Sequence, residues 1–143
     1  MNTLIAIVLI IIFLVISSIH FYWAFGSKKW ANMAVPTKAD NSVLVFKPRP
    51  IETAIVAISF IGFIAIVAAR VGFMNLPVFQ DYVNIAVWIL ATIFIIRAIG
   101  EFRYVGFFKK IKDTTFGKMD TKYYSPLCLA IGIMLLLINI LKH

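Results

Sequence analysis

A histidine, two arginines and a glutamate lie near the ends of long apolar stretches and are the residues best suited to do chemistry. His20 could act as a general acid or base, because imidazole titrates near neutral pH. Arg97 and Arg103 could grip a phosphate or a carboxylate, because the guanidinium fork matches these groups. Glu101 follows Arg97 by four residues, so on a continuous helix the two side chains share a face and form an ion pair. The sequence thus predicts an Arg97–Glu101 pair and two contacts for an anionic group.

The elements that must position these residues are membrane spans. Hydrophobic residues make up 62% of the chain and charged residues only 14%, far below the quarter or so that is usual in soluble domains. Four apolar stretches, at about 3–25, 53–73, 82–100 and 126–141, are of the length and composition of transmembrane helices. The first is about twice as long as the apolar part of a signal peptide and follows no basic residue, which favours a retained helix. We predict one all-α domain over residues 1–143, with four transmembrane helices in an antiparallel bundle.

The basic residues predict how the chain is oriented. Five lie in the segment 26–52 and six in the segment 101–124, whereas only Arg70 and Lys142 lie toward the other side. By the positive-inside rule both long loops are cytoplasmic and both termini lie outside. The net charge of +8 is therefore assigned to topology and to anionic lipid headgroups, and no motif points to nucleic acid.

The same topology predicts a polar layer in the inner leaflet. The first and third spans both run inward, and His20 and Arg97 follow Thr3 and Asp81 by nearly equal numbers of residues. Both lie about 24–26 Å into a hydrocarbon core about 30 Å thick. Further polar and aromatic side chains are expected at this level: Tyr22, Trp23, Glu101, Tyr104, Tyr123 and Tyr124.

Local signals predict where helices and turns begin. Pro50 and Glu52 favour a helix start, because proline loses nothing in the first turn and an acid there suits the helix dipole. Pro77 marks the turn between the second and third spans. Ser125 followed by Pro126 is the order of an N-cap and a first helical residue, so the fourth span is expected to open there.

Several kinds of site are disfavoured by composition. Cys128 is the sole cysteine, which excludes an intramolecular disulfide and a multi-cysteine metal site. With two histidines on opposite sides and no clustered Met, no ligand set for iron, zinc or copper is present, and we expect no metal and no cofactor. The central turns of the spans contain no ionisable residue, which counts against a transport path at mid-membrane.

Three strings carry a resemblance to a known family. These are "HFYWAFG" at 20–26, "RAIGEFRYVGFFKK" at 97–110 and "DTTFGKMDTKYYSPLC" at 113–128. Together they resemble the domain-of-unknown-function 3995 family of small bacterial four-helix membrane proteins. The resemblance implies a multi-pass protein of the bacterial cytoplasmic (inner) membrane with no assigned activity. It also places a motif residue on Asp120, which completes the candidate inner-leaflet cluster: His20, Tyr22, Trp23, Arg97, Glu101, Tyr104, Asp120, Tyr123 and Tyr124.

Three functional interpretations stay open at this point. The first is a binding or structural membrane protein whose cluster packs the helices or holds a lipid headgroup or partner. The second is an enzyme acting on a lipid or isoprenoid, with His20 as acid or base and Arg97 or Arg103 on an anionic group. The third is a small dimeric transporter. No residue is assigned as catalytic, and a homo-oligomer is left open.

Overall fold

The computed structural model describes residues 1–26, 34–38 and 44–141. Its helices are α1 (Asn2–Ala24), α2 (Pro50–Arg70), α3 (Gln80–Ile99), α4 (Thr115–Met119) and α5 (Ser125–Ile140). A π-helical turn, Asp120–Tyr124, joins α4 to α5, so the chain is helical from Thr115 to Ile140. Within the described ranges four helical stretches are long and apolar enough to cross a membrane, and no strand forms. The predicted all-α class and four spans are confirmed.

The start of α2 is the one that its sequence predicts. Pro50 occupies the first turn, and the Glu52 carboxylate accepts a hydrogen bond of 3.0 Å from the backbone N–H of Arg49. This closes one half of a capping box and places the acid at the positive end of the helix dipole. Pro77 lies in the connection between α2 and α3, also as expected.

The α-helix α5 begins at Ser125 with Pro126 in its first turn, as predicted, but Ser125 is not an N-cap, because helical structure already precedes it. The helical stretch begins ten residues earlier, where the Thr114 hydroxyl accepts a hydrogen bond of 2.9 Å from the Gly117 N–H and acts as the N-cap. Pro126 therefore lies inside a running helix, where its ring crowds the preceding turn and it has no N–H to donate. The helix responds by widening into the π turn, in which the Ser125 N–H bonds to the carbonyl of Asp120.

The helices form two closely packed pairs. α1 packs mainly on α2 and α3 mainly on α5, whereas the α2–α3 and α1–α5 contacts are less extensive. In the first pair the buried Ser17 hydroxyl donates to the Ala57 carbonyl of α2 at 2.8 Å, so the last turns of α1 lie beside the first turns of α2. Ala57, Ala68 and Ala69 of α2 are buried, and such small residues let helix backbones approach closely.

Gly132 of α5 allows α3 and α5 to approach closely. We therefore predict that alanine changes stability in opposite directions at Gly132 and at Gly62. A Cβ at Gly132 would lie 2.7 Å from Ile95 Cγ1, whereas a Cβ at Gly62 of α2 meets nothing within 4 Å. We expect Gly132→Ala to destabilise the protein by about 1–3 kcal/mol through overpacking. Gly62→Ala should stabilise it by up to about 1 kcal/mol, because alanine favours the helix. Thermal unfolding of both variants in one detergent tests this, and a shift of the same sign in both would contradict it.

Four phenylalanines connect α1, α2 and α3 near the middle of the spans. Phe13, Phe60, Phe63 and Phe94 contact one another in every pairing, with ring centroids 5.2 to 6.3 Å apart. Edge-to-face and tilted contacts of this kind contribute beyond the burial of area alone. The two rings of Phe60 and Phe94 also form part of the wall of a cavity, which this cluster closes on one side.

Candidate functional site

A cavity of about 720 Å³ lies between α1 and the α3–α5 pair, at the end of the molecule where α1 and α3 finish and α2 begins. We call this the long-loop end. The residues that line the cavity come from every helix and from the segment 34–38: Val15, Ile16, Ile19, His20, Trp23, Ala34, Phe60, Phe94, Arg97, Phe116, Tyr124, Leu127, Cys128 and Ile131. The cavity lies between α1 and α5, whose contact with each other is less extensive than the contact within either closely packed pair.

The cavity is apolar over most of its wall and open on one side. Val15 and Leu127, from α1 and α5, belong to the lining and are also exposed on the surface of the protein. Along α1 the lining rises about 12 Å from Val15 to Trp23, less than half of a hydrocarbon core about 30 Å thick. With the spans in a bilayer, Val15 and Leu127 would face lipid at the edge of the cavity, and the lining along α1 would stay within one leaflet.

Four side chains bring titratable groups to this wall: His20, Arg97, Tyr124 and Cys128. His20 Nδ1 lies 2.8 Å from the Ile16 carbonyl oxygen, which can only accept, so Nδ1 carries the proton. The imidazole ring packs edge-on against Trp23 and stacks on Phe60. In the described part of the chain no three His, Cys, Asp or Glu side chains are placed to hold a metal ion.

Behind Arg97 lies a buried carboxylate that gathers three donors. Asp120 in the π turn is fully buried, and its Oδ1 accepts from Arg97 Nη2 at 2.9 Å. Its Oδ2 accepts from Lys109 Nζ at 3.1 Å and from the Gly106 backbone N–H at 2.7 Å. The ammonium of Lys109 is itself buried and also donates to the Gly106 carbonyl at 3.0 Å and to the Thr121 hydroxyl. These hydrogen bonds satisfy a charge that would otherwise be costly to bury.

Two glycines allow the loop after α3 to fold back toward Asp120. Gly100 ends α3 with a φ of +87°, and Gly106 has a φ of +90°, both in the region that disfavours side chains. The two backbones also touch, since a Cβ on Gly106 would overlap the Ile99 carbonyl oxygen and the Gly100 Cα. The chain thereby folds back beside the end of α3, where the Phe107 N–H donates to the Ala98 carbonyl at 2.8 Å.

The predicted Arg97–Glu101 pair is wrong. It assumed a continuous helix, but α3 ends at Ile99, so the spacing of four residues no longer places the two side chains on one face. The Glu101 carboxylate accepts a hydrogen bond from the backbone N–H of Tyr104 and is exposed. Arg97 instead pairs with Asp120, which lies 23 residues farther along the chain.

The other predicted residues divide between the cavity and the surface. His20, Trp23, Arg97 and Tyr124 line the cavity, and Asp120 lies behind it. Five others are absent from its lining: Tyr22, Glu101, Arg103, Tyr104 and Tyr123. The Arg103 guanidinium lies 5.1 Å from the centre of the Tyr104 ring, and the Lys122 ammonium takes the same position over Tyr123. Three of the basic residues counted for the orientation, Lys28, Lys29 and Lys142, lie outside the described residues.

Lys109 is the residue that sequence reasoning missed. We interpreted it with Lys110 as a determinant of orientation, yet its side chain is fully buried while Lys110 is exposed. No periodic pattern distinguishes the two, because they lie in an irregular loop. The available signal was that Lys109, like Gly100 and Gly106, belongs to the string that carries the family resemblance.

Comparison with known proteins bears on the whole of this site. The profile of the family described as "Protein of unknown function (DUF3995)" matches residues 13–135, a range that contains every residue lining the cavity and the group around Asp120. Comparisons with curated proteins and with solved structures give no match.

Proposed function

This chain belongs to the DUF3995 family, whose function is unknown, and we propose that it is a multi-pass membrane protein that binds the hydrocarbon chain of a membrane amphiphile in the cavity between α1 and α5. The observation that carries the proposal is the cavity itself. Its volume of about 720 Å³ falls within the range usual for ligand sites, about 300–1,000 Å³. Its apolar walls and its opening toward lipid suit a molecule that enters sideways from the bilayer.

Packing physics supports an occupant. Protein interiors hold few voids larger than a water molecule, because the atoms around an empty space lose their dispersion contacts. Water would gain few hydrogen bonds along walls made of Phe, Ile, Leu and Val side chains. A hydrocarbon chain restores the missing contacts and is the most abundant molecule at that depth.

The same site gives less support to an enzyme or a transporter. The Ile16 carbonyl orients the His20 ring through Nδ1, but among the described residues no carboxylate pairs with His20 to activate it. The nearest buried carboxylate, Asp120, already accepts hydrogen bonds from Arg97, Lys109 and Gly106. A cavity confined to one leaflet also offers no path across the membrane.

The orientation follows from the basic residues. Eleven Lys and Arg residues lie in the segments 26–52 and 101–124, at the ends of the spans that flank the cavity. By the positive-inside rule we propose that the cavity lies in the cytoplasmic leaflet, with both termini outside, in the bacterial inner membrane that the family resemblance implies.

Two leucines on α5 provide a matched test. Leu127 lines the cavity and is 36% exposed, whereas Leu129 does not line it and is 38% exposed. We expect Leu127→Trp to reduce retained amphiphile about tenfold or more, because the indole takes up space that the chain needs. Displacing two methylene groups, at about 0.8 kcal/mol each, already accounts for a tenfold loss. Leu129→Trp should leave retention unchanged.

The measurement is native mass spectrometry of protein extracted from its own membrane into mild detergent. Wild type and Leu129→Trp should carry a bound amphiphile of defined mass, and Leu127→Trp should not. Wild-type protein that carries no such molecule, or equal retention by the two variants, would refute the proposal.

A further inference from the structure

One terminal nitrogen of Arg97 has no hydrogen-bond partner among the described residues. Its Nη2 donates to Asp120 at 2.9 Å, but its Nη1 is buried and has no hydrogen-bond partner in the described part of the chain. A guanidinium carries only donors, so the group that would satisfy Nη1 must be an acceptor. Leaving a buried charged donor without an acceptor is costly, and natural proteins rarely do so without a functional reason.

The charges around Asp120 also fail to balance. Among the described residues one carboxylate, that of Asp120, faces two cations, those of Arg97 and Lys109, which leaves one positive charge in excess. The other acids of this loop, Glu101 and Asp113, are exposed and form no ion pair with either cation. In a medium of low dielectric constant an excess charge attracts an anion strongly.

The excess charge faces the cavity through Arg97. Lys109 is fully buried and is absent from the lining, whereas Arg97 belongs to it and its side chain is 32% exposed. Tyr124 and His20 line the same cavity and add a hydroxyl and an imidazole to the polar groups within it. An apolar cavity with one cationic group on its wall is complementary to an anionic amphiphile.

We infer that the amphiphile in the cavity carries an anionic head, a carboxylate or a phosphate, and that the Arg97 guanidinium binds this head through the part of the side chain that faces the cavity. This rests on the function proposed above, since the hydrocarbon chain occupies the same cavity. Asp120 holds the guanidinium in place through Nη2. Lys109 supplies the second charge, so the carboxylate of Asp120 does not cancel the attraction.

The test uses three amphiphiles that share one acyl chain: palmitate, 1-palmitoyl lysophosphatidic acid and neutral monopalmitoylglycerol. Their binding to the full chain in detergent is measured by isothermal titration calorimetry. For wild type we expect both anionic amphiphiles to bind at least about tenfold more tightly than the neutral one, since a hydrogen bond to a charged group is worth such a factor. The tighter of the two identifies the head as carboxylate or phosphate.

Arg97→Gln and Arg103→Gln form the variant pair. Arg97→Gln should remove the preference for anionic amphiphiles while binding of monopalmitoylglycerol stays within about twofold of wild type, which also shows that the cavity is intact. Asp120 keeps Lys109 and Gly106 as partners in this variant. Arg103→Gln changes an arginine of the loop that follows α3, outside the cavity lining, and should leave all three affinities unchanged. Arg97→Lys keeps the charge and should restore part of the preference.

The outcomes separate the two proposals. If none of the three amphiphiles binds to wild type, the proposed function itself fails. If all three bind to wild type with equal affinity, or Arg97→Gln binds the anionic ones as tightly as wild type does, the cavity binds hydrocarbon and the anionic head is refuted. Inorganic phosphate should not displace the amphiphiles at equal concentration, and displacement by phosphate would mean an anion site that needs no chain.

Discussion

Replacing Asp120 with asparagine is expected to destabilise the folded protein by about 3–5 kcal/mol, the cost of leaving a buried charge without its partner. Lys109 is fully buried and has no other carboxylate among its contacts in the described residues, and Arg97 loses the same partner. The Asp120 side chain also accepts from the Gly106 N–H, so a wrongly placed amide would weaken the loop as well. Thermal unfolding in a single detergent measures the effect.

Asp113→Asn is the matched control, because Asp113 is an exposed aspartate seven residues earlier in the same segment. It should change stability little. The Arg97–Glu101 pair that the spacing predicts would make Glu101→Ala more destabilising than Lys118→Ala. Because Glu101 is exposed and bonded only to its own loop, we expect those two variants to have similar stability. Equal unfolding temperatures for Asp120→Asn and Asp113→Asn would contradict the central role of Asp120.

A double variant checks the cause of the instability. Asp120→Asn leaves the buried Lys109 ammonium without a carboxylate. If this causes the loss of stability, the double variant Lys109→Met/Asp120→Asn should be more stable than Asp120→Asn alone. No recovery would indicate that the backbone hydrogen bond from Gly106 matters more than the ion pair.

Replacing Gly106 with alanine is expected to cost more than about 3 kcal/mol or to prevent folding of the loop. The left-handed backbone alone costs about 1–2 kcal/mol for a residue with a side chain. At Gly106 the new Cβ would also overlap the Ile99 carbonyl oxygen and the Gly100 Cα, which are backbone atoms that cannot turn aside. The chain must then move apart at this crossing and release its hydrogen bond to Asp120.

Gly72→Ala separates the two causes. Gly72 has a similar φ of +83°, but a Cβ there meets nothing within 4 Å, so only the backbone strain applies. Thermal unfolding of both variants and limited digestion with trypsin are the measurements. In Gly106→Ala trypsin should cut after Lys109 far sooner than in wild type, since that side chain leaves its buried position. Equal effects of the two alanines would show that the crossing is not a close contact.

Asp120→Asn and Gly106→Ala are expected to affect the proposed binding as well as stability. Asp120 holds the Arg97 guanidinium at the wall of the cavity, and the crossing of Gly100 and Gly106 holds the loop against Asp120. A site on the wall of a cavity keeps its geometry only if the residues behind it are themselves fixed. The loop 100–111 is thus part of what positions Arg97 toward the proposed ligand.

The sequence by itself determined the four apolar helices, the start of α2 at Pro50 and the family. It also placed His20, Trp23, Arg97 and Tyr124 in the candidate inner-leaflet cluster. These follow from properties that act along the chain, since hydropathy, helix length and capping depend on near neighbours. The cavity brings those four side chains together, although spacing alone predicts only the contact between His20 and Trp23, which are three residues apart on α1.

The tertiary structure alone decided the partner of Arg97, the burial of Lys109 and the neighbours of each helix. The expected pair with Glu101 required α3 to continue, but Gly100 ends it and the chain turns back across Gly106. An irregular path of this kind has no period that a pattern could reveal, and it selects Asp120 because that residue lies within reach in space and not in sequence. A buried charge takes whichever partner the fold brings to it, since a buried charge without a partner costs several kcal/mol, about 3–5 in typical cases.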